Sequence, residues 1–512
     1  MKKALALVLA MLVILSGCSS SGSISTFTAG VAVMPSNFDP RIATQEQDIL
    51  VITNIYDGLF EKRDGAIEKN MVTDYSVSSD GRTYTFTIRE DSRYHIKGNS
   101  SFNGHPVTAR DFVFAFRRVC DPATKSPYID DFSNIRNAAA VRNGASVNTL
   151  GVRSDGPYKL IIELEEPDSA FIDRLCSSAV YPCCEEFFNT CKGAYGLNID
   201  TTLGNGPFRI NYLDPEGGNA TIVRADDKKG MIDRIRIYKL DDLEMPAAFE
   251  RGDISGYFSS SPSASPDSVS TGYDTDVLML VFNRDDPYFS NANIRQALSW
   301  YAFGFKNSGA NMSAVDPHGS IFPDTVSING RSLNGLIVLP VPGYLEDDPV
   351  RLINQGMSEV GERKSSERTL LIPSDSRYSP VFENINQLWQ RDLVQYFKVE
   401  YLASSEISRR VAAGDFDLAF VFLTPANDTA YGVLDMFSDI PHVGECLSTA
   451  RASLDESVAI IQFQSSRRYI IANAYAAPMG RETSSFNYKK YFSEIYADPF
   501  TRSVNLKYAK AS

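Results

Sequence analysis

The densest group of reactive side chains in this sequence is a set of cysteines in the stretch CSSAVYPCCEEFFNTC, at positions Cys176, Cys183, Cys184 and Cys191. In a compartment outside the cytosol, thiols spaced in this way can form one or two disulfide bonds. The alternative is a group of free thiols buried in a segment of helix and loop. A zinc cluster is disfavoured because neither a C-x-x-C pair nor a histidine accompanies these cysteines in the sequence. The spacing leaves the pairing of the thiols open.

The spacings that accompany catalysis are missing from this sequence. It contains no G-x-S-x-G nucleophile turn, no H-E-x-x-H metal motif and no phosphate-binding P-loop. Its histidines stand in polar or turn-like contexts, and His105 is predicted to be a surface residue; the set is His95, His105, His318 and His442. We therefore predict that the chain is not an enzyme and that it carries neither a cofactor nor a metal ion.

The N-terminus has the pattern of an export signal. Two lysines precede an apolar stretch over residues 4–15, which is shorter than the roughly 20 residues that cross a bilayer. The stretch ends in LSGC, which resembles a bacterial lipobox and predicts that Cys18 is lipidated. Residues 1–17 are then a lipoprotein signal peptide, and residues 18–25, rich in Ser and Gly, are a flexible tether. The alternative is an ordinary signal peptide with a chance cysteine.

The composition is that of an ordinary globular protein, with 43% hydrophobic and 22% charged residues. A chain of this length can form about two or three domains. The formal net charge of −13 favours solubility and disfavours nucleic acid as a partner.

Two patterns of secondary structure divide the chain. The first half is rich in hairpins, such as TDYSVSSDGRTYTFTIRED, and contains a helix for which Thr108 is the cap and Asp111 lies in the first turn. A Ser- and Pro-rich stretch, SSSPSASPDSVS, predicts a loop. Farther on, strand and helix patterns alternate in the segments ERTLLIPSD, YSPVFENINQLWQRDL, FKVEYLA, EISRRVAAG and FDLAFVFLT. This alternation predicts parallel strands and an α/β fold.

Six stretches, in order over most of the chain, carry a family resemblance. They are FDPRIATQEQDILVITNIYDGLF, SSDGRTYTFTIRE, FNGHPVTARDFVFAFRRV, GNGPFRI, LMLVFNRDDPYFSNANIRQAL and GDFDLAFVFL. Together they resemble solute-binding protein family 5 of ABC importers, the oligopeptide, dipeptide and nickel type. The resemblance implies a monomeric, lipid-anchored extracytoplasmic receptor that captures a peptide or another small solute and delivers it to the membrane subunits of an ABC permease.

The same resemblance implies the domain organisation. We expect a periplasmic-binding-protein-like two-lobe fold of the class II type with an inserted third subdomain. Lobe I is expected over residues 26–62, 192–275 and 465–512, the inserted subdomain over 63–191, and lobe II over 276–464. The expected hinge strands lie near DVLMLVFN and YIIANAYAAP. The ligand is expected between the lobes, which close on it by bending at the hinge.

The resemblance also implies where a peptide binds. Two extended segments are expected to pair with the peptide backbone as added strands. One follows the Asp39-Pro40 turn and the other follows the strand FDLAFVF; their residues are Thr44, Gln45, Glu46, Phe422, Leu423 and Thr424.

An ionic anchor for the peptide is altered in this sequence. Relatives that bind peptides read Trp-x-Ala-Asp-Tyr after the second strand, and that aspartate holds the peptide ammonium group. Here Leu423 stands at the tryptophan position and Ala426 at the aspartate position, with Asp428 two residues on. Asp428 is the candidate replacement, and the alternative is a solvated or loop-capping residue. A position that is basic in some relatives is Val411 here.

Other functions stay open at this point. An extracytoplasmic enzyme such as a glycan hydrolase requires two carboxylates about 5–10 Å apart across a cleft. The altered anchor leaves room for a ligand-sensing or adhesin lipoprotein without transport. A nickel-chelate binder requires a cleft histidine or arginine, and His442 is the histidine nearest to the second segment.

Overall fold

The computed structural model describes most of the chain beyond the predicted tether, over residues 26–63, 66–226, 228–259, 262–303, 316–317, 319–328, 331–338, 341–362, 368–374, 376, 378–423, 429–453, 455–498 and 503–512. Three of the predicted site residues, Cys18, Thr424 and Asp428, therefore lie outside the described residues, as does His318.

A large mixed sheet runs through the molecule and, within the described ranges, contains eleven strands. From one edge to the other its main path follows Lys398–Leu402, Thr369–Pro373, Leu418–Leu423, Ser268–Phe282, Ala476–Lys489, Gly256–Ser259, Thr26–Val31, Arg234–Lys239, Asn219–Arg224 and Phe208–Asp214. The remaining short strand, Asp316–Pro317, pairs beside the path with Ala476–Lys489. The first five strands of this path come from residues 268–489 and the last five from residues 26–259, so each part of the chain builds one half of the sheet.

Two long strands form the middle of this sheet. Ser268–Phe282 and Ala476–Lys489 are antiparallel, and their register shifts at two places, between Asp274 and Asp276 and between Leu278 and Met279. The first predicted hinge segment lies in Ser268–Phe282. The second predicted hinge segment, YIIANAYAAP, is a strand only at its end. Its first residues belong to a helix that ends at Ala472, and the strand starts at Ala476.

The predicted α/β arrangement is confirmed in the second part of the chain. Thr369–Pro373 is parallel to both Lys398–Leu402 and Leu418–Leu423. The connecting helices are Ser379–Asp392 and Ser404–Ala412. Trp389 is fully buried, its ring is stacked 6.0 Å from that of Phe420, and its Nε1 donates to the Leu298 carbonyl at 3.1 Å. This indole therefore fixes the helix on the sheet, as a large apolar ring with a satisfied donor does.

The predicted hairpins of the first half are confirmed as a separate antiparallel sheet of Val72–Val77, Thr83–Ile88, Lys159–Glu163 and Val152–Ser154. Helix Ala109–Cys120 packs against it and begins where the sequence predicts. The Thr108 backbone N–H donates to Asp111 Oδ2 at 2.7 Å, which closes a reciprocal cap at the first turn.

The other helices surround these sheets. The longer ones are Glu46–Ile55, Met245–Arg251, Ala292–Ala302, Pro349–Val360, Pro441–Ala452 and Glu456–Ala472. The short ones are Ala138–Arg142, Phe171–Arg174, Glu185–Thr190, Leu333–Leu336 and Ala430–Leu434. Small antiparallel pairs are formed by Phe60–Arg63 with Ala66–Lys69, Ser327–Ile328 with Arg331–Ser332, Phe492–Ser493 with Lys510–Ala511, and Tyr496–Asp498 with Ser503–Asn505. In the described part of the chain, no helix combines the length and the apolar character that a membrane crossing requires.

The structure decides between disulfide bonds and free thiols for the described cysteines. Throughout the described residues they are free thiols, namely Cys120, Cys176, Cys183, Cys184, Cys191 and Cys446. Burial raises the pKa of the Cys120 thiol to about 12, so this sulfur is protonated at neutral pH and packs as an apolar group.

Candidate functional site

A cavity of about 640 Å³ opens beside the end of strand Leu418–Leu423. Helix Ser404–Ala412 forms one wall, and the turn after strand Ser268–Phe282 contributes another. Much of the lining is apolar, including Val281, Val411, Phe422, Leu423, Met436 and Phe437. The volume lies within the range of about 300–1,000 Å³ that small-molecule sites occupy. The cavity is therefore large enough for the apolar side chains of a small ligand.

Three charged residues line the cavity, namely Arg284, Asp285 and Asp439. Arg284 forms an ion pair with Asp439, and both residues contribute to the lining. The Arg284 guanidinium also lies 5.9 Å from the centre of the Tyr475 ring. Besides this ion pair, the cavity offers a ligand its apolar lining and the exposed carboxylate of Asp285.

Two of the predicted binding residues lie at this cavity. Phe422 and Leu423 are the last residues of their strand and pair with Leu278 and Val277. Within the described residues, the ladder to the strand on the other side, Thr369–Pro373, covers only Leu418 and Ala419. The final residues of this strand thus extend beyond the described ladder to their parallel neighbour.

The first predicted segment lies elsewhere and is only partly extended. Thr44 and Gln45 are exposed and precede a helix, but Glu46 is the first residue of that helix. The expectation of an extended backbone is wrong for Glu46, since the Gln45 carbonyl already accepts the N–H groups of Asp48 and Ile49 at 3.0 and 2.9 Å. None of the three predicted residues here lines the cavity beside Leu418–Leu423.

The turn before this segment is held by buried charges. Asp39 is 2% exposed and its carboxylate lies 3.2 Å from Arg41 Nε and 2.6 Å from Arg118 Nη2. Arg41 Nη1 also donates to the Tyr181 carbonyl at 2.8 Å. The Asp39-Pro40 turn therefore has a scaffold role: it fixes where Thr44 emerges.

A second, polar cavity of about 440 Å³ lies between the C-terminal segment at Lys507 and the hairpin region. Lys507 Nζ lies 2.7 Å from Asp57 Oδ1, and Asn70 also donates to that oxygen at 3.1 Å. Burial alone raises the pKa of Asp57, but Lys507 and Asn70 outweigh it and hold the pKa below its ordinary value. Burial lowers the pKa of His95, so this imidazole is neutral at pH 7. No sequence motif pointed to Lys507, because its partner is distant in the chain.

The histidine considered for nickel lies away from the ligand cavity. His442 Nε2 lies 3.0 Å from Ser465 Oγ, and its ring packs 4.5 Å from the ring of Tyr469. Within the part of the chain that the structure describes, no histidine lines the cavity beside Leu418–Leu423. The arginine that lines this cavity, Arg284, is paired with Asp439.

Comparison with known proteins places the chain among bacterial transport receptors. The oligopeptide-binding protein OppA of Bacillus subtilis (strain 168) is 23% identical over an alignment that covers 99% of this chain and 97% of that protein. Among solved structures, the unliganded open form of the periplasmic murein tripeptide-binding protein MppA superposes with a TM-score of 0.74 at 18% identity, covering 96% of this chain and 99% of that one. Haemophilus influenzae OppA in complex with RPPGFSPFR gives a TM-score of 0.71 at 17% identity, covering 96% and 99%.

These structural matches show the fold, which is the predicted two-lobe α/β fold of solute-binding proteins. The sequence profile described as "Bacterial extracellular solute-binding proteins, family 5 Middle" matches residues 66–443, well over half of the chain. Members of this family bind solutes outside the cytoplasm and are not enzymes, which confirms that part of the prediction. The chain belongs to family 5 of the bacterial extracellular solute-binding proteins.

Proposed function

We propose that this protein captures short peptides and delivers them to the membrane subunits of an ABC permease. The observation that carries the proposal is the projecting end of strand Leu418–Leu423 beside an apolar cavity of about 640 Å³. A peptide backbone pairs with the free edge at Phe422 and Leu423, while a side chain enters the cavity. The similarity to OppA of Bacillus subtilis supports a peptide as the solute.

Recognition in this proposal depends on backbone pairing and apolar contact. Of the charged residues that line the described cavity, Arg284 and Asp439 are paired with each other, and Asp285 is an exposed carboxylate beside them. Because apolar pockets accept many side chains and backbone pairing ignores them, the protein accepts peptides of varied sequence and favours apolar residues. Asp428 is the candidate for holding the peptide ammonium group in place of the missing aspartate.

The proposed lobes follow the boundaries expected from the sequence. Lobe I comprises residues 26–62, 192–275 and 465–512, the inserted subdomain comprises 63–191, and lobe II comprises 276–464. Within these bounds strand Ser268–Phe282 passes from lobe I to lobe II, which supports its role as a hinge, and Ala476–Lys489 pairs with it along its length from the lobe I side. Thr44, Gln45 and Glu46 form the opposite lip of the cleft, and closure brings them toward the peptide.

The remaining part of the proposal concerns location. The LSGC motif supports a lipid on Cys18, which keeps the monomeric receptor on the outer face of the membrane, near its permease. Mass spectrometry of the mature N-terminal peptide tests this directly. An acylated cysteine is expected, and an unmodified Cys18 or cleavage at another residue would contradict the anchor without touching the peptide proposal.

The binding proposal is tested with the full chain in detergent and a set of di- to hexapeptides. A peptide that prefers the closed form raises the melting temperature, because binding to the native state stabilises it by mass action. Nickel chelates and haem are the control ligands. Titration calorimetry on each stabilising peptide then gives its dissociation constant. A melting temperature that no peptide changes would overturn the proposed function.

A further inference from the structure

Three side chains of types that bind metals, His105, Cys184 and Glu186, lie close together beside the hairpin region. The residues that line the peptide cavity come later in the chain, between 281 and 475. The Cys184 sulfur lies 3.9 Å from His105 Nδ1 and 3.8 Å from Glu186 Oε2. One ligand atom from each residue lies within 4.8 Å of the others. Sulfur, imidazole nitrogen and carboxylate oxygen are the donor types that Zn²⁺ binds in proteins.

The separations match those that a metal ion requires. Zn–S and Zn–N bonds of about 2.3 and 2.0–2.1 Å at a tetrahedral angle place sulfur and nitrogen about 3.6 Å apart. The observed distance between Cys184 Sγ and His105 Nδ1 is 3.9 Å. Movements of a few tenths of an ångström in the side chains therefore suffice to bind an ion.

The position of Cys184 is fixed by the backbone of its own segment. Cys184 is 2% exposed and caps the N-terminal end of helix Glu185–Thr190. The preceding residue, Cys183, donates its N–H to the Asp111 carbonyl at 3.1 Å, which ties this segment to helix Ala109–Cys120. The sulfur therefore reaches the cluster from a fixed position.

The histidine is held independently. The His105 carbonyl accepts the Tyr94 N–H at 2.8 Å, and its own N–H donates to the Phe102 carbonyl at 3.1 Å. Its ring packs edge-on against Phe102, with centroids 6.0 Å apart, and Phe102 packs against Phe187. This aromatic contact positions the imidazole toward the helix that carries Glu186, as a supporting shell does for a metal ligand.

We propose that His105, Cys184 and Glu186 bind one Zn²⁺ ion that clips two distant segments of the chain together. Cys184 binds as the thiolate and releases its proton to solvent, while His105 binds through Nδ1 as the neutral imidazole. Glu186 is exposed and leaves the fourth, solvent-facing position to water. The ion has a structural role: it joins the loop at His105 to the segment 79 residues later and takes no part in peptide capture.

The sequence disfavoured this site because no histidine stands near the cysteines. The fold supplies one from a loop that the sequence marks only as a turn, NGHPVTARD. A histidine and a glutamate then complete a set that the cysteine spacing alone does not reveal.

The test uses the full chain after treatment with a chelator. Titration with Co²⁺, which substitutes for Zn²⁺, is expected to give a thiolate-to-metal charge-transfer band that saturates at one ion per chain, and Zn²⁺ is expected to displace it. Cys184→Ser is expected to abolish the band. His105→Gln and Glu186→Gln are each expected to weaken Zn²⁺ binding at least tenfold.

The chain offers a matched control pair. The Cys446 sulfur lies 3.7 Å from His442 Nε2 but is not part of a group with a third ligand in the described residues. Cys446→Ser and His442→Gln should leave the cobalt spectrum unchanged. A band that these variants remove, or an absence of any band in the wild type, would overturn the proposal.

A thermal readout separates metal loss from misfolding. Zn²⁺ should raise the melting temperature of the wild type, and a chelator should reverse the shift. Glu186→Gln, an exposed and conservative change, should match the wild type in chelator and lose the Zn²⁺-dependent rise. An equal rise in this variant would contradict its role as a ligand.

Discussion

The Arg118 guanidinium lies 2.6 Å from the Asp39 carboxylate, although the two residues are 79 positions apart. Asp39 also lies 3.2 Å from Arg41 Nε, and the side chains of Asp39 and Arg41 are almost fully buried. One carboxylate is thus shared by two guanidinium groups at the turn that leads to Thr44. Removing it leaves two cations without their shared partner in a region of low dielectric.

We expect Asp39→Asn to lower the free energy of unfolding by about 3–5 kcal/mol, because a broken buried ion pair leaves uncompensated charge. Urea unfolding followed by circular dichroism measures the change. The control is Asp155→Asn, since Asp155 pairs with Lys159 at 3.2 Å on the surface. An exposed pair contributes about 0–1 kcal/mol. Equal losses in the two variants would contradict the role given to the buried pair.

The Lys507–Asp57 pair predicts a loss of stability in acid. The pKa of Asp57 is lowered in the folded protein, so its carboxylate adds stability above the ordinary value of about 3.9. That contribution is lost as the pH falls through the lowered folded pKa. Urea midpoints measured from neutral pH downward should therefore drop below about pH 4.

Lys507→Met separates this pair from the other carboxylates. The variant should lose stability at neutral pH, by up to about 3 kcal/mol, because the partly buried Asp57 carboxylate keeps its charge without its cation. The difference from the wild type should shrink in acid, where Asp57 takes up a proton. Lys490→Met is the control, since Lys490 pairs with Asp267 on the surface. If the stability difference between Lys507→Met and the wild type were the same at every pH, Asp57 would not be the carboxylate responsible for it.

The ligand cavity predicts a contrast between two neighbouring alanines. Ala412 lines the cavity, whereas Ala413, also exposed, does not. We expect Ala412→Trp to weaken the binding of peptides with bulky apolar side chains at least tenfold, about 1.4 kcal/mol, because the indole fills the space they enter. Ala413→Trp should bind as the wild type does. Calorimetry with one such peptide measures its dissociation constant for both variants. Equal dissociation constants for Ala412→Trp and Ala413→Trp would exclude this cavity as the binding pocket.

The second glycine in GNGPFRI, Gly206, lies so close to the backbone of Tyr56 that a larger residue should disturb the packing. A Cβ atom on Gly206 would lie 2.8 Å from the backbone nitrogen of Tyr56, and backbone cannot move aside as a flexible side chain can. Gly206→Ala should lower the free energy of unfolding by about 1–3 kcal/mol through overpacking. Gly335 in helix Leu333–Leu336 has open space around it, so Gly335→Ala should be neutral or stabilising. Urea unfolding of both variants measures the contrast.

Much of the local structure could be predicted because its causes are local. The cap at Thr108, the Asp80-Gly81 hairpin and the alternation of strands and helices after residue 368 depend on residues close in sequence. The Ser- and Pro-rich stretch was predicted as a loop, but strand Ser268–Phe282 already starts inside it, since pairing with Ala476–Lys489 overrides local composition.

The site could be predicted only where one strand defines it. The family resemblance pointed to Phe422 and Leu423, which end a strand and line the cavity, whereas it placed Glu46 in an extended segment although this residue begins a helix. Contacts between distant segments had no sequence signal. Lys507 meets Asp57 across 450 positions, and His105 meets Cys184 across 79.

The paired strands Ser268–Phe282 and Ala476–Lys489 limit how the molecule can move. A ladder of backbone hydrogen bonds resists sliding, because a slip of one residue would turn every side chain to the opposite face. The two register shifts along it are the points where such a ribbon bends and twists most readily. In the proposed hinge motion, this pairing would return the two lobes to the same alignment after each opening.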